Sequence, residues 1–188
     1  MENEIVSILD EAIRIKENIK RLAPIIAKTS ELIINAYKNK KKVILFGNGG
    51  SAADAQHIAA EFVGKFYKDR DSLPSLALHT NTSVLTATAN DFGYDLVFER
   101  QVSSFTQEGD IVIGLSTSGN SPNVIKGLIK AKEIGAKTVA FTGQNYSKAE
   151  EVADLCLKIP SLDTPRIQEG HITIGHIICY LVEKELFG

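Results

Sequence analysis

Residues 111–122 read IVIGLSTSGNSP, an apolar run followed directly by small hydroxyl residues. A continuous apolar run of this length is typical of a strand buried on both faces of a parallel sheet. Ser121 followed by Pro122 is a typical helix start, with serine at the N-cap and proline at the first helical position. The stretch therefore predicts a strand, a loop and a helix in succession, which is the repeating unit of α/β folds.

Similar units lie on either side of this stretch. Strands are predicted at 43–46, 75–78, 111–115, 137–141 and 155–159. Helices are predicted at about 51–66, 83–89, 96–105, 122–133 and 165–186. Continuous apolar strands that alternate with helices indicate a doubly wound, five-stranded parallel sheet in a flavodoxin-like three-layer sandwich. Ligands in such folds bind at the carboxyl ends of the strands, so the functional residues are expected there.

Two further helices are predicted ahead of the sheet, within residues 1–40. Apolar residues recur at helical spacing from Ile5 to Ile13, and Pro24 marks a break before a second amphipathic segment. The length of 188 residues fits one domain. We therefore expect a single domain over 1–188, in which the helical pair 1–40 packs on the sheet or on a neighbouring subunit.

Composition and charge exclude several classes of protein. The chain has 21 Lys and Arg against 23 Asp and Glu, which argues against nucleic-acid binding by bulk positive charge. The amino terminus is acidic where a secretory signal would be basic, and no apolar segment reaches the ~20 residues of a spanning helix. Cys156 and Cys179 lie in apolar runs without a CxxC spacing, as buried thiols of a reducing compartment do. We expect a cytoplasmic protein with no nucleic-acid and no membrane partner.

The loop after the third strand carries four hydroxyl groups. They belong to Ser116, Thr117, Ser118 and Ser121. A helix start offers free N–H groups and the positive end of the helix dipole, and hydroxyls add further donors, which suits a phosphate. A capped turn of small polar residues is the alternative, but it does not explain three consecutive hydroxyls. The sequence therefore predicts a phosphate site in this loop.

The loop after the first strand, residues 47–51, reads GNGGS. Its glycines allow the backbone to approach a ligand closely. Ser51 with Asp54 resembles a capping box, so a purely structural role in starting the helix is the alternative. The loop also fits the G-x-G-x-x-A form of the dinucleotide fingerprint, but no acidic residue follows at 79–82. A nicotinamide cofactor is therefore disfavoured.

The helix after this loop carries His57 and Glu61 one turn apart on one face. A histidine and a carboxylate at this spacing can bind one metal ion or act as an acid/base pair. A polar pair on an exposed surface is the alternative, although apolar residues at 59–63 argue against a plain solvent face. His176 lies in the apolar run 172–182, either as a hydrogen-bonded core histidine or as a ligand.

Three motifs occur together in this chain, namely GNGGSAADAQH at 47–57, STSGNSPN at 116–123 and RIQEGH at 166–171. Together they resemble the phosphoheptose isomerases, which are sugar-isomerase (SIS) domain enzymes, and the resemblance covers essentially the whole chain. It implies a SIS fold and conversion of D-sedoheptulose 7-phosphate to D-glycero-D-manno-heptose 7-phosphate, the first step towards the heptose of lipopolysaccharide or related glycans. It also implies a cytoplasmic homotetramer with active sites at subunit interfaces and one zinc ion per subunit.

The resemblance further implies roles for individual residues. The phosphate would be held by Ser116, Thr117, Ser118 and Ser121. The sugar would be contacted by Asn48, Gly49, Gly50, Ser51, Glu61, Asn90, Asp91 and Gln168. The metal would be bound by His57, Glu61, Gln168 and His176. Glu61 and His176 would also be the catalytic pair.

The implied chemistry agrees with these residue types. Aldose–ketose isomerisation moves a proton between adjacent carbons through an enediol, for which Glu61 suits the carbon base and His176 its acid/base partner. Zinc would polarise the carbonyl, although a carboxylate bound tightly to zinc is a poorer base, so a catalytic or a structural zinc both stay open. The alternative function is a non-catalytic SIS-domain regulator that binds a sugar phosphate, similar to a replication-initiation factor. Such a regulator would not need His57, Glu61 and His176 together.

The spacing of two implied metal ligands restricts how the site can form. Gln168 and His176 are eight residues apart, which corresponds to about 12 Å along a continuous helix. Zinc bonds are only about 2 Å long, so one ion can hardly take both from one straight helix. We predict either a break near Gly170 or ligands from different subunits. We favour the second, in which the site exists only in the assembled oligomer.

Overall fold

The computed structural model describes residues 1–188, and strands and helices alternate along the chain from residue 43 onward. The five strands are β1 Val43–Gly47, β2 Ser75–Ala77, β3 Ile111–Leu115, β4 Lys137–Thr142 and β5 Leu155–Lys158. The eight α-helices are α1 Glu2–Ile19, α2 Ala23–Lys38, α3 Gly50–Val63, α4 Thr82–Phe92, α5 Val97–Phe105, α6 Pro122–Ile134, α7 Lys148–Val152 and α8 Thr164–Phe187. Short 3-10 turns lie at Lys20–Leu22 and Tyr94–Leu96.

All five strands are parallel and lie in the order β2-β1-β3-β4-β5. The chain therefore moves outward from β1 to β2, returns to β3 beside β1, and continues in the opposite direction to β5. Gly47 pairs with Leu115, so the loops that leave β1 and β3 start side by side. This is the topological switch point at which open α/β sheets bind ligands. The predicted doubly wound, flavodoxin-like sheet is confirmed.

Helices cover both faces of the sheet and complete two cores. On one face, side chains such as Leu45 and Ile113 pack with α2, α3 and α8. On the other, Ile44 and Val112 pack mainly with α5 and α6. Successive strand residues point to opposite faces, so a strand covered on both sides must be apolar throughout. This explains why β1 and β3 consist of continuous apolar runs.

The helical pair at the amino terminus packs on α8 of the same chain. The α2 helix buries Ile26 and Ile33 in the core, and Arg166 of α8 donates a hydrogen bond to the carbonyl of Ile8. The apolar stripe that predicted α1 is largely exposed in this chain. Whether it packs on a neighbouring subunit stays a prediction.

Two details differ from the sequence prediction. Pro24 does not separate the helices by a loop, because only a 3-10 turn intervenes and the proline lies in the first turn of α2, where its missing N–H is tolerated. The short helix α7 was not predicted. Apolar stretches long enough to span a bilayer are absent from the helices.

Candidate active site

Two loops meet at the switch point, and we refer to residues 47–51 as the glycine loop and residues 116–122 as the hydroxyl loop. They are joined by a reciprocal pair of hydrogen bonds between the side-chain amides of Asn48, in the glycine loop, and Asn123, the residue after the hydroxyl loop. Asn48 donates to Oδ1 of Asn123 at 2.9 Å, and Asn123 donates back to Oδ1 of Asn48 at 3.0 Å. The hydroxyl of Tyr94 donates to the same oxygen of Asn48 at 3.1 Å. The two loops are therefore held in one fixed relation.

The hydroxyl loop gathers three serine side chains at the start of α6. Oγ of Ser116 lies 3.0 Å from Oγ of Ser121 and 3.5 Å from Oγ of Ser118. Ser121 is the N-cap residue, as predicted, but its side chain makes no capping hydrogen bond, which leaves the hydroxyl available to a ligand. Gly119 has a φ of +64° and lies against Ser147, so a side chain there would be strained and would clash. The convergence of hydroxyls with a helix N-terminus is the geometry of an anion site.

A polar cavity of about 530 Å³ opens on the side of the hydroxyl loop that faces β4 and β5. Thr117 and Ser118 form one wall, and residues such as Gln144 and Ser161 form the other. The carbonyl of Thr117 accepts a hydrogen bond from the N–H of Gly143 at 3.0 Å, which holds the two walls together. No charged side chain lines the cavity.

The helix after the glycine loop does not begin with the predicted capping box. Gly49 is the N-cap residue, with a φ of +56° and no side-chain cap, and Ser51 is buried inside the first turn. Oδ2 of Asp54 is buried without a hydrogen-bond partner, and this burial raises the pKa of Asp54 to about 6, although His57 opposes the shift. The alternative role of Ser51 and Asp54 as a capping box is therefore excluded. A Cβ at Gly47 would lie only 2.8 Å from the carbonyl oxygen of Ser51, so this turn has no room for a side chain at position 47.

Three side chains from two helices form a cluster of donor atoms, which we call the donor triad: His57 and Glu61 of α3 with His176 of α8. Nε2 of His57 lies 2.9 Å from Nε2 of His176 and 3.1 Å from Oε1 of Glu61. The three donor atoms all lie within 4.8 Å of one another. The helices approach closely because Gly175 has no side chain, and a Cβ there would meet Ile58 at 2.5 Å.

The donor triad fits a zinc ion. Two imidazole nitrogens and one carboxylate oxygen are a common ligand set for zinc, and three protein ligands leave a further position for water or substrate. His176 is only half-buried, and its Nε2 lies 2.9 Å from Nε2 of His57. The interpretation of His176 as a core histidine is therefore wrong.

Gln168 is not part of the donor triad. Its side-chain amide lies against Gly50, where a Cβ would overlap it, at the opposite end of α3 from Glu61. The α8 helix runs unbroken through Gly170, which excludes the less favoured alternative of a break there. One chain already unites three of the four predicted ligands, and Gln168 cannot join them from the same unbroken helix. A contribution of Gln168 from another subunit stays a prediction.

Asn90 and Asp91 are exposed at the carboxyl end of α4. Nδ2 of Asn90 donates to Oδ1 of Asp91 at 2.8 Å. The turn that follows carries Tyr94, whose hydroxyl donates to Asn48 of the glycine loop. The structure shows no hydrogen bond from either residue to the loops or the donor triad, and their role in sugar binding stays a prediction.

Sequence reasoning missed four residues that shape the site. They are Asn123, Tyr94, Arg70 and Glu183. Asn123 is the last residue of the 116–123 motif, but its hydrogen-bond partner, Asn48, is 75 residues away. Arg70 and Glu183 are separated by 113 residues. No local pattern marks such pairs, because their partners are brought together only by folding.

Comparison with known proteins places the chain in a family. Residues 9–143 match the family model described as the SIS domain. Over its full length, the chain is 53% identical to the phosphoheptose isomerase of Clostridium acetobutylicum and covers 97% of that protein. It is 58% identical to the phosphoheptose isomerase of Sulfurimonas denitrificans, over 87% of this chain and 84% of the relative. The structure of phosphoheptose isomerase from Neisseria gonorrhoeae matches with a TM-score of 0.92 at 38% identity, covering 97% of this chain and 98% of that one.

The doubly wound sheet, the hydroxyl loop at its switch point and the family match define a SIS-domain protein. Within that class, the chain belongs to the phosphoheptose isomerases. It is therefore an isomerase, and the resemblance seen in the three sequence motifs is confirmed.

Proposed function

We propose that this protein converts D-sedoheptulose 7-phosphate to D-glycero-D-manno-heptose 7-phosphate through an enediol. This would be the first step of heptose precursor synthesis for lipopolysaccharide or related glycans. One observation carries the proposal: an anion-binding loop and a triad of acid/base and metal-donor side chains occur together in a chain 53% identical to a phosphoheptose isomerase. A sugar phosphate needs both, because its phosphate is remote from the carbons that react.

The hydroxyl loop would hold the phosphate. The hydroxyls of Ser116, Thr117, Ser118 and Ser121 donate to its oxygens, and the positive end of the α6 dipole favours its charge. The sugar would lie along the glycine loop. Its contacts would be Asn48, Gly49, Gly50, Ser51, Asn90, Asp91 and Gln168. The contacts to the phosphate would position the reacting carbons, although the phosphate itself takes no part in the proton transfers.

Glu61 and His176 would carry the proton transfers. Glu61 takes the proton bound to carbon and returns it to the adjacent carbon, while His176 gives and accepts protons at the substrate oxygens. His57 lies between the two, with its Nε2 2.9 Å from Nε2 of His176 and 3.1 Å from Oε1 of Glu61. When bound by His57, Glu61 and His176, with Gln168 as the predicted fourth ligand, zinc supplies a Lewis acid that polarises the substrate carbonyl.

We also propose a cytoplasmic homotetramer with active sites at subunit interfaces. The exposed stripe on α1 supports it, since Ile5, Leu9 and Ile13 each leave more than half of their surface exposed. Tyr67 and Tyr180 are also exposed and lie edge to face beside the donor triad, with ring centroids 6.1 Å apart. Contiguous apolar surface of this kind marks an interaction site in soluble proteins.

Proton NMR of the purified protein with sedoheptulose 7-phosphate tests the function. Formation of the aldose, seen as a new anomeric proton signal, is the expected result. The Glu61→Gln variant under the same conditions is the control for a contaminating isomerase. Tight binding of the substrate without conversion would overturn the proposal and favour the sugar-phosphate-binding regulator.

A further inference from the structure

An irregular segment next to the donor triad is held by a single carboxylate. Residues 64–70, which we call the strap, leave α3 and cross to α8 without forming helix or strand. Glu183 of α8 accepts hydrogen bonds from the backbone N–H groups of Phe66, Tyr67 and Lys68, at 3.0, 2.8 and 3.0 Å. Its side chain is only 4% exposed. A segment with no regular structure of its own is therefore anchored at three consecutive amides.

Arg70 connects this anchor to the end of α3. Its Nε donates to Oε1 of Glu183 at 2.9 Å. Its two terminal nitrogens donate to the carbonyls of Phe62, at 3.0 Å, and Glu61, at 2.9 Å. Carbonyls in the last turn of a helix have no partner within the helix, so Arg70 completes the carboxyl end of α3.

The strap contacts both helices of the donor triad. Glu183 lies seven residues after His176 on α8, which is close to two full turns and therefore on the same face. The ring of Phe66 in the strap lies 5.8 Å from the imidazole of His176, centroid to centroid. The strap is thus linked to both helices: Arg70 donates a hydrogen bond to the backbone carbonyl of Glu61, and Phe66 packs on His176.

The charges of this pair are fully compensated inside the protein. Burial by itself would raise the pKa of Glu183, but the three backbone N–H groups and Arg70 lower it on balance. The side chain of Arg70 is 2% exposed, and every one of its nitrogens has an acceptor. Removing either partner leaves an uncompensated buried charge, which strongly disturbs the surrounding structure.

We propose that Arg70 and Glu183 are positioning residues for isomerisation. By holding the strap, they keep Glu61 of α3 at a constant distance from His176 of α8. The inference rests on the proposed function, because it assumes the proton transfers assigned to Glu61 and His176. The two reacting side chains come from different helices, and a displacement of about 1 Å at such a site can cost about 10²-fold in rate.

The test uses the full chain with the variants Glu183→Gln and Arg70→Lys. We expect kcat to fall about 10- to 100-fold, whereas KM changes by less than about threefold, because neither residue touches the hydroxyl loop. A second readout does not require turnover. The chain has four histidines, so ¹⁵N-histidine labelling reports on the site directly. The signals of His57 and His176 should shift in both variants, whereas that of the buried His171 should not.

The matched control is Asp110→Asn at the amino-terminal edge of the sheet. Asp110 is also a buried carboxylate, which accepts the N–H groups of Lys42 and Gln107 at 3.1 and 2.8 Å and pairs with the Lys42 ammonium at 2.7 Å. This variant should lose stability but keep the wild-type kcat and histidine signals. The control therefore separates loss of stability from loss of positioning.

The outcomes are distinct. If the Glu183 and Arg70 variants lose stability like Asp110→Asn but keep the wild-type kcat and histidine signals, the pair is merely structural and the proposal is overturned. If Glu183→Gln does not fold, Arg70→Lys decides, because it preserves the positive charge beside Glu183. If the wild-type protein does not isomerise sedoheptulose 7-phosphate, the proposed function fails. In that case the histidine signals still show whether Arg70 and Glu183 hold His57 and His176 in place, and unchanged signals overturn the inference independently of turnover.

Discussion

Asn48 and Asn123 exchange two hydrogen bonds through their side-chain amides, at 2.9 and 3.0 Å, across 75 residues of sequence. Asn123 is buried at the start of α6, and its Oδ1 also accepts the N–H of Val124. The exchange joins the glycine loop to the hydroxyl loop at the switch point of the sheet. The proposed sugar and phosphate contacts are therefore fixed relative to each other before substrate arrives.

Replacing Asn123 by alanine should uncouple the two loops. We expect KM to rise about tenfold, and the free energy of unfolding to fall by about 1–3 kcal/mol because the Asn48 amide loses its partner. Steady-state kinetics and urea unfolding measure the two effects. Asn39→Ala is the control, since Asn39 bonds the backbone of Asn35 at the other end of the sheet. An unchanged KM in Asn123→Ala would contradict the coupling.

Glu61→Gln should abolish most turnover without disturbing the fold. A positioned proton transfer typically contributes about 10²- to 10⁴-fold to the rate, and the amide cannot accept the carbon-bound proton. Turnover is followed by NMR and folding by circular dichroism. Glu185→Gln, at an exposed carboxylate paired with Lys38, should behave like the wild type. Near wild-type turnover in Glu61→Gln would refute its role as the base.

Ser118→Ala and Ser121→Ala should weaken binding more than they slow the chemistry. Their hydroxyls lie within 3.5 Å of Ser116, in the loop proposed to hold the phosphate rather than at the reacting carbons. KM should therefore rise more than kcat falls. Ser103→Ala on α5 is a suitable control, because its hydroxyl only bonds the carbonyl of Glu99. A crystal structure with the substrate phosphate outside residues 116–122 would contradict this assignment.

His57→Ala should lose the metal. The wild-type protein is expected to carry about one zinc per subunit, and loss of one of three converging donors should reduce the bound zinc severalfold. Elemental analysis after dialysis measures the stoichiometry. The control is His79→Ala, which removes a histidine outside the donor triad, and this variant should bind as much zinc as the wild type. Removal of zinc by a chelator should lower the melting temperature of the wild type, since a metal that binds only the folded state stabilises it. Full zinc content in His57→Ala would show that the metal binds elsewhere.

His171 should make the protein less stable as the pH falls below neutral. Burial lowers its pKa to about 4, despite a hydrogen bond to the carbonyl of Thr142, whereas an unfolded histidine titrates near 6.5. Between these values the unfolded chain binds the extra proton, so stability is fully present above about pH 6.5 and declines towards pH 4. The total loss from this residue is about 3 kcal/mol.

Urea unfolding at pH 7 and pH 5 measures this dependence. His171→Asn should be less stable at pH 7, but its stability should change less between the two pH values than that of the wild type. An equal pH dependence in both proteins would show that His171 is not the group that titrates.

Local sequence patterns determined the fold class and the loops of the site. The five strands were predictable because a strand buried on both faces must be apolar throughout, and β3 was placed at its observed bounds, Ile111–Leu115. The hydroxyl loop was visible because its residues are contiguous. The pair of His57 and Glu61 was visible because helical geometry alone puts residues four apart on one face.

Tertiary structure alone decided which distant residues complete the site. It brought His176 to His57 across 119 residues and separated Gln168 from both, although Gln168 and His176 share one helix. It also paired Arg70 with Glu183, and it started α3 at Gly50 rather than at Ser51. The physical reason is that spacing along the chain determines neighbours only within one helix or strand. Contacts between elements depend on how closely they pack, and here the absence of a side chain at Gly175 lets α8 approach α3.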